Sequence, residues 1–513
     1  MDSDCEDMDI HHLFRSTIWF NGHEELDGEA FGMPRSAADE SSLDSIPELE
    51  PCYSKDFGLE NAPDFLSFIQ QRVPILPLPL ASVNPKIGAI RYGFLTVYRR
   101  LFSIVFVGNL VALVIILARH RTSTALFSAT TANLVVCGFA RLPYVINGMF
   151  LAVHFLASSL PLSLRRRAAK VGHYGGVHSG CGISAFCWYT CAVAVVTYQY
   201  AVSEPPLRLR TAVLALLYLI LGLLLGMILV AYPMFRFINH NVFELTHRFS
   251  SWVLIVLLWS AYMQLVHDAS HAEARSFGTY LLQDPTFWFV IVLTMTLIAP
   301  WVTLGRVPVT PEYVSDHAVR LHFKYATTRF SQGVSISTHP LRDWHTFAGI
   351  PDTSGKGFSL LISDAGDWTS ARVKDPPTQI WKRAVPTYGF AYSALLFRRV
   401  IIVTTGSGIG PALSLLGADE GIRPKSRVLW QTRNPMRTYG KGIMEAVHRL
   451  DDDAIIIDTD QYGRQDFMAV AWSLFKHHEA EAAFVISRPN LTRKLVYAFE
   501  ARGVSAYAPI FDS

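Results

Sequence analysis

Hydrophobic and polar positions along this chain fall into three textures. The first is a set of long, unbroken apolar runs. Crossing the hydrocarbon core takes about 20 apolar residues in a helix. Six segments reach that length: roughly 95–118, 128–155, 179–200, 211–233, 249–267 and 286–304. Arg141 and Pro143 interrupt the second. An arginine at that depth is costly in lipid and is expected to face protein or a polar ligand. The proline is tolerated where neighbouring helices satisfy the freed carbonyl. From Pro308 the hydrophobicity drops, and short β-like runs appear at Val319–Tyr325, Gly333–Ser337, Phe358–Ser363 and Gln379–Val385. Turn signals at Pro351, Gly355 and Asp375-Pro376-Pro377 punctuate them at the spacing of a small barrel. From Arg399 apolar strands (Val400–Thr404, Val428–Gln431, Ala454–Ile457, Ala483–Ile486) alternate with helical stretches. That alternation marks a parallel α/β sheet. The pattern predicts a membrane α-helical bundle of six spans followed by a β-barrel and an α/β domain.

Composition changes this picture mainly at the N-terminus. Over 513 residues half are apolar and only 17% charged, which suits a polytopic protein of two or three domains. The net charge of +3 points to no acidic partner and no nucleic acid. Residues 1–64, however, carry many acids (Asp2, Asp4, Glu6, Asp7 and Asp9 among them) against Arg15, Arg35 and Lys55. Such a stretch cannot bury enough apolar surface to order itself and reads as a mobile tail. The expected organisation is an acidic, disordered cytosolic tail over 1–90, a six-span domain over 91–305, a barrel over 306–395 and an α/β domain over 396–513. The acidic start, with no apolar run, predicts no signal peptide. Six cysteines (Cys5, Cys52, Cys137, Cys181, Cys187, Cys191), none after residue 191, form no disulfide framework and fit a module in reducing cytosol. Arg91, Arg99, Arg100, Arg165, Arg166, Arg167, Lys170, Arg236 and Arg248 collect on one side of the spans, with a smaller set (Arg119, Arg121, Arg208, Arg210, Arg275) opposite. The positive-inside rule then places both termini in the cytosol. The expectation is an integral protein of the plasma membrane.

The strongest local motif is Val400-Ile-Ile-Val-Thr-Thr-Gly406-Ser407-Gly408-Ile409-Gly410-Pro411. A strand runs into a glycine-rich turn and then into a helix expected to begin near Pro411. Glycines let the backbone approach a pyrophosphate, and a helix N-terminus offers free N–H groups. The loop resembles the pyridine-nucleotide loop of the ferredoxin–NADP reductase superfamily. With six upstream spans, it is similar to the ferric reductase and NADPH oxidase branch. Asp343-Trp344-His345-Thr346-Phe347 resembles that family's flavin strand, Gly366-Asp367-Trp368-Thr369 the element after it, and Gly463-Arg464 a turn at the nucleotide site. The likeness spans roughly 90–513. Within the branch, His173-Tyr-Gly-Gly-Val-His178-Ser, Leu245-Thr-His247-Arg-Phe and Trp430-Gln-Thr-Arg433-Asn-Pro435 look most like the fungal TmpA-type membrane flavoproteins.

This resemblance implies a ferredoxin–NADP reductase-like module with a β-barrel FAD domain and an NAD(P)-binding α/β domain. His345, Thr346 and Phe347 would lie along the flavin, with Trp368 and Thr369 on the neighbouring wall. Gly406, Ser407, Gly408, Ile409, Gly410, Pro411, Gly463 and Arg464 would hold NAD(P)H. Arg433 and Arg464 are either partners for a 2′-phosphate, which suits a guanidinium fork, or solvated surface charges. Three departures stand out: Thr346 replaces a proline, Pro386-Thr387-Tyr388-Gly389 replaces a Gly-Pro-Tyr-Gly turn, and Ser487-Arg488-Pro489 replaces a Cys-Gly-Pro that sets a thiol beside the nicotinamide. The last would slow hydride transfer without abolishing cofactor binding. No catalytic residue is assigned.

Members of the branch hold two haems between spans three and five, each span giving two histidines 13 or 14 residues apart. That spacing corresponds to roughly 20 Å along a helix. Here His178 and His247 open those spans, and the partner positions are Ala192 and Ser260 or Ala261, which cannot ligate iron. At most one inner haem b is therefore expected, through His178 and His247. The implied activity is an FAD-dependent NAD(P)H oxidoreductase, passing electrons to a small-molecule or protein acceptor in the cytosol or inner leaflet, in redox signalling during fungal asexual development. The rivals are a ferric-chelate reductase or NADPH oxidase, which needs both haems, and a non-enzymatic flavin- or nucleotide-binding sensor.

Overall fold

The computed structural model describes residues 63–119, 123–202, 208–352, 355–466 and 468–510. Residues 1–62, the larger part of the acidic tail, lie outside this set. Five described helices are long and apolar enough to cross a membrane, and a bent pair would supply a sixth crossing. After α1 (Pro63–Gln70), the bundle helices are α2 (Val97–Arg119), α3 (Ser123–Phe139), α6 (Gly175–Val202), α7 (Arg208–Val230), α8 (His240–Ala272) and α9 (Pro285–Val302). Between α3 and α6 lie α4 (Pro143–Ala157) and α5 (Leu162–Ala168).

The second predicted span, 128–155, is not one helix. It breaks between α3 and α4, which are bent by 72°. Pro143 opens α4, where its missing N–H costs nothing. Beyond the bend α4 leaves the bundle and packs on the barrel side: Asn147 Nδ2 donates to Pro386 O (2.9 Å), and Asn147 Oδ1 accepts from Tyr388 N (2.8 Å). The third span packs closely because its glycines permit it. A Cβ on Gly176 would lie 2.2 Å from Tyr98 O, so α2 and α6 meet backbone to backbone there.

Strands β1 (Gly305–Pro308), β2 (Thr310–Ser315), β3 (Ala318–Phe323), β4 (Gln332–Ser337), β5 (His345–Pro351), β6 (Phe358–Ser363), β7 (Gln379–Lys382) and β8 (Thr387–Tyr388) form one antiparallel sheet. Its order is β1-β7-β4-β5-β6-β3-β2, with β8 beside β4. The two edge strands are consecutive in sequence, so the sheet must curl until its edges approach: a barrel. Inward residues such as Val319, Leu321, Ile336, Phe358, Leu360 and Ile380 fill it, and Val373 of α10 (Asp367–Lys374) joins that core.

The last unit is a five-stranded parallel sheet of β9 (Arg399–Thr405), β10 (Lys425–Thr432), β11 (Ile455–Asp458), β12 (Ala482–Ile486) and β13 (Ala506–Tyr507), ordered β11-β10-β9-β12-β13. Strands buried on both faces read as continuous apolar runs, as Val400-Ile-Ile-Val403 and Phe484-Val-Ile486 do. Helices α11 (Ile409–Leu413), α12 (Pro435–Leu450), α13 (Thr459–Tyr462), α14 (Met468–His477) and α15 (Pro489–Glu500) connect them. An antiparallel barrel followed by a parallel α/β sheet is the architecture that the sequence pattern predicts for residues 306–513.

Residues 63–88, placed in the mobile tail by their neighbourhood, are ordered and docked. Phe65, Ile69 and Val73 are buried in the core formed by one face of the parallel sheet with α14 and α15. Leu76 N donates to Ser473 Oγ (2.8 Å), Arg502 Nε to Pro79 O (2.6 Å) and Ser82 N to Ala501 O (2.9 Å). Composition over the whole tail concealed this, because three apolar residues at helical spacing suffice once a sheet face is there to receive them.

Candidate functional site

In a parallel sheet, ligands bind outside the carboxyl ends of the strands, where the strand order reverses. Here the reversal lies between β9 and β12, and the glycine loop leaves β9 at that point. Gly406 has φ +50°. A Cβ on Gly408 would lie 2.5 Å from both Ile486 O and Thr404 Oγ1, so the loop lies flat against β12 only without one. Ser407 is exposed, while Ile409 and Gly410 are buried. The following helix begins at Ile409 rather than near Pro411, after a 3-10 turn at Gly406–Gly408, and spans five residues. Pro411 still falls in its first turn, where no N–H partner is needed. Trp430 Nε1 donates to Gly406 O (2.9 Å) and fixes the loop from β10.

The other predicted nucleotide residues come to the same edge. Arg433 follows β10; its Nε lies 2.9 Å from Asp460 Oδ1, and the side chain is 81% exposed. Gly463, at φ +68°, ends α13, and Arg464 after it is exposed. Ser487 follows β12, with its Oγ 2.5 Å from Thr405 Oγ1. The four loops thus bring a flat glycine backbone, two guanidinium groups and two hydroxyls to the carboxyl edge of the sheet.

Strand β5, which carries the predicted flavin residues His345, Thr346 and Phe347, lies next to it. Ile350 of β5 and Leu361 of β6 share a core with Ile409 and Leu413, and Leu361 Cβ would lie 3.9 Å from a Cβ on Gly410. At the other end of β5, His345 stacks on Trp368 (centroids 4.2 Å, planes at 29°), with Phe347 6.1 Å from the same indole. Among the described residues His345 Nε2, Trp368 Nε1 and Arg372 Nε are buried without hydrogen-bond partners. Three orphaned polar groups on β5 and α10 are what a polar ligand such as a flavin nucleotide would satisfy. Arg372, absent from the sequence reading, carried one signal: it lies four residues after Trp368, on the same helix face. Thr346 and Thr369 are already engaged. Thr346 Oγ1 bonds Ser335 Oγ (2.8 Å), and Thr369 Oγ1 accepts from Ala365 N (3.0 Å) and donates to Gly366 O (2.9 Å). Burial pushes the His345 imidazole below its ordinary pKa, against the pull of Glu244 and Asp343.

Glu244 joins this site to the helical bundle. It pairs with Arg248, and its carboxylate accepts from Trp344 N (3.4 Å). Arg248 donates to Leu341 O (3.2 Å) and Arg342 O (2.8 Å). Arg383 lies over both Trp301 and Trp344 (5.0 and 4.5 Å), and its burial lowers its pKa to about 10. The segment that leads into β5 is therefore held at the start of α8, by Glu244 and Arg248 on either side of His247.

His178 and His247 face each other across the bundle with ring centroids 6.5 Å apart and planes at 52°. His178 Nδ1 lies 2.9 Å from Cys137 O, with Cys137 Sγ 3.2 Å from Nδ1 and 3.9 Å from Nε2, and His247 Nδ1 is buried without a partner among the described residues. His178 and His247 are the two residues that would hold a haem iron between these helices. At the position of an outer pair, Ala192 and Ala261 are buried in apolar packing. Among the described residues no three His, Cys, Asp or Glu side chains form a metal cluster. A separate cleft of about 580 Å³ opens between β3 and the C-terminal half of α12, lined by Arg320, His322, Asp352 and Arg449. It contains none of the predicted cofactor or metal residues.

Residues 390–513 match the family model described as the C-terminal domain of adenylate-forming reductase 03009. Two relatives from Coprinopsis cinerea, named adenylate-forming reductases 03009 and 06235, are 39% identical over 425 residues and 37% over 428, in each case 83% of this chain. The chain spans 41% of the length of each. Among solved structures, a ferredoxin NADP+ reductase from Neisseria gonorrhoeae with bound FAD and NADP is 11% identical, with a TM-score of 0.34 over 40% of this chain and 97% of that one. A flavohemoglobin from Malassezia yamatoensis with FAD and heme is 13% identical, with a TM-score of 0.36 over 76% of this chain and 98% of that one.

Proposed function

We propose that this chain is a membrane-anchored, FAD-dependent NAD(P)H oxidoreductase. It passes electrons from NAD(P)H to flavin and on to a small-molecule or protein acceptor on the cytosolic side or in the inner leaflet, in redox regulation of fungal asexual development. The observation that carries the reading is the meeting of the glycine loop with a flavin strand whose stacked His345 and Trp368 each leave a buried polar atom without a partner. A bound flavin would supply the hydride acceptor. His345, Phe347, Trp368 and Arg372 would hold it, while Gly406–Pro411, Arg433 and Arg464 would place the reduced nucleotide over it. The reductase names of the Coprinopsis relatives agree with this chemistry, and the helices long enough for a membrane support the anchor.

A second reading adds one haem b between His178 and His247, favoured by their 6.5 Å facing geometry. The residues at the outer positions argue against a full transmembrane electron path, as in a ferric-chelate reductase or NADPH oxidase. An absorption spectrum of the purified protein before and after NADPH tests both readings. Flavin bands that bleach are expected, and a Soret band lost in His247→Ala would establish the haem. Flavin bands that do not bleach would overturn the enzyme in favour of a flavin-binding sensor.

A further inference from the structure

At the end of α8 far from the reductase module, two imidazoles meet. His267 and His271 stand one helical turn apart with Nε2 atoms 3.2 Å from each other and ring centroids 4.4 Å apart. Both are exposed. Arg248, which ties α8 to the barrel, lies 19 residues before His267, roughly 30 Å along the helix axis. This pair therefore belongs neither to the flavin crevice nor to the His178–His247 site.

The geometry points to a two-histidine chelate for a divalent first-row transition metal, open to water or an exogenous ligand at its other positions. Two histidines at i and i+4 share one helix face, the arrangement that helical metal sites use. With metal–nitrogen bonds of 2.0–2.1 Å, nitrogens this far apart subtend roughly 100° at the metal, between the square and tetrahedral values. In the metal-free protein the pair is a hydrogen bond, one Nε2–H donating to the other lone pair, so ligation through both Nε2 atoms requires the donor ring to take the tautomer that carries its proton on Nδ1. Rotation of the two exposed side chains then aims both lone pairs at one metal with no backbone movement. Asp268 Oδ1 lies 3.7 Å from His267 Nδ1, and its other oxygen accepts from Tyr200 OH (3.5 Å). A carboxylate on the far ring nitrogen raises the basicity of a ligating imidazole and offsets the metal charge. Copper(II) forms the tightest complex with such a nitrogen pair by the general affinity order of these ions.

The experiment uses the full chain in detergent, titrated with Cu(II) and followed by calorimetry and electron paramagnetic resonance. The expected result is one tight equivalent whose spectrum carries hyperfine structure from two nitrogens. That equivalent should weaken about hundredfold in His271→Gln, where the chelate becomes a single ligand, and vanish in the His267→Gln, His271→Gln double variant. Thermal melting of both variants should match the parent, because the rings are exposed. A double variant that binds the same number of equivalents with the same affinity would overturn the site, as would a parent chain that binds none.

Discussion

At Gly408 the constraint is steric and specific. Gly408→Ala sets a methyl 2.5 Å from Ile486 O and Thr404 Oγ1. It should cost about 1–3 kcal/mol of stability and raise the KM for NAD(P)H, whereas Gly410→Ala meets nothing closer than 3.9 Å and should be neutral. Thermal melting and steady-state kinetics of the pair check this. Arg464 and Arg433 differ in the same way. Arg433 is held by Asp460, and Arg464 is exposed beside the turn. Arg464→Ala should therefore raise the KM for NADPH about tenfold, the value of one charge-assisted hydrogen bond, and leave the KM for NADH nearly unchanged. His345 gives a pH signature. Its folded pKa is depressed by burial, so below its ordinary value of 6.5 the unfolded chain binds the proton more readily, and stability falls as pH falls. His345→Gln should flatten part of that acid-side loss of melting temperature.

Between the bundle and the parallel sheet, the segment over 161–174 is a clamp. Arg165 forks onto both oxygens of Glu481 (3.2 Å each), and Lys170 reaches Glu500 Oε1 (2.6 Å). Burial alone would raise the Glu481 pKa; Arg165 and the Arg398 N–H outweigh it and hold the carboxylate below its ordinary 4.5. Its contribution is complete above that value and is lost as pH falls through the lower folded pKa. Glu481→Gln should weaken the clamp even at neutral pH, with faster hydrogen exchange over 161–174 as the readout. The sequence could count Arg165, Arg166 and Lys170 as charges on one side of a bilayer, but their acceptors lie more than 300 residues away and no local pattern joins them. The strands and the glycine loop were legible because each is a local run with its own period or turn chemistry. The break at Arg141–Pro143 was visible as an interruption. Its outcome, a helix redirected onto the barrel, depends on Asn147 meeting Pro386 and Tyr388. The docked segment over 63–88 was hidden for the same reason: its buried face acquires meaning only against β9, β10 and α14.

For the molecule as a whole, α1 reaches the carboxyl edge of the parallel sheet, where the nucleotide is proposed to bind, from the outside. Phe68 stacks on Tyr462 (5.1 Å), and Phe65 lies 5.7 Å from the same ring, immediately before Gly463 and Arg464. Phe68→Ala should therefore change the KM for NAD(P)H more than kcat, although residue 68 is remote from the cofactor in sequence. Phe65, Ile69 and Val73 also carry a burden in time. Leu76 and Ser473, which the strap joins, are 397 residues apart. At synthesis rates of 5–20 residues per second, the segment waits roughly 20–80 s before its partner sheet exists. Throughout that wait its apolar face is solvent-exposed and available to chaperones, while the intervening helices are made and placed. The cover for this face is therefore complete only once residues 473–506, which form the rest of that core, have been made.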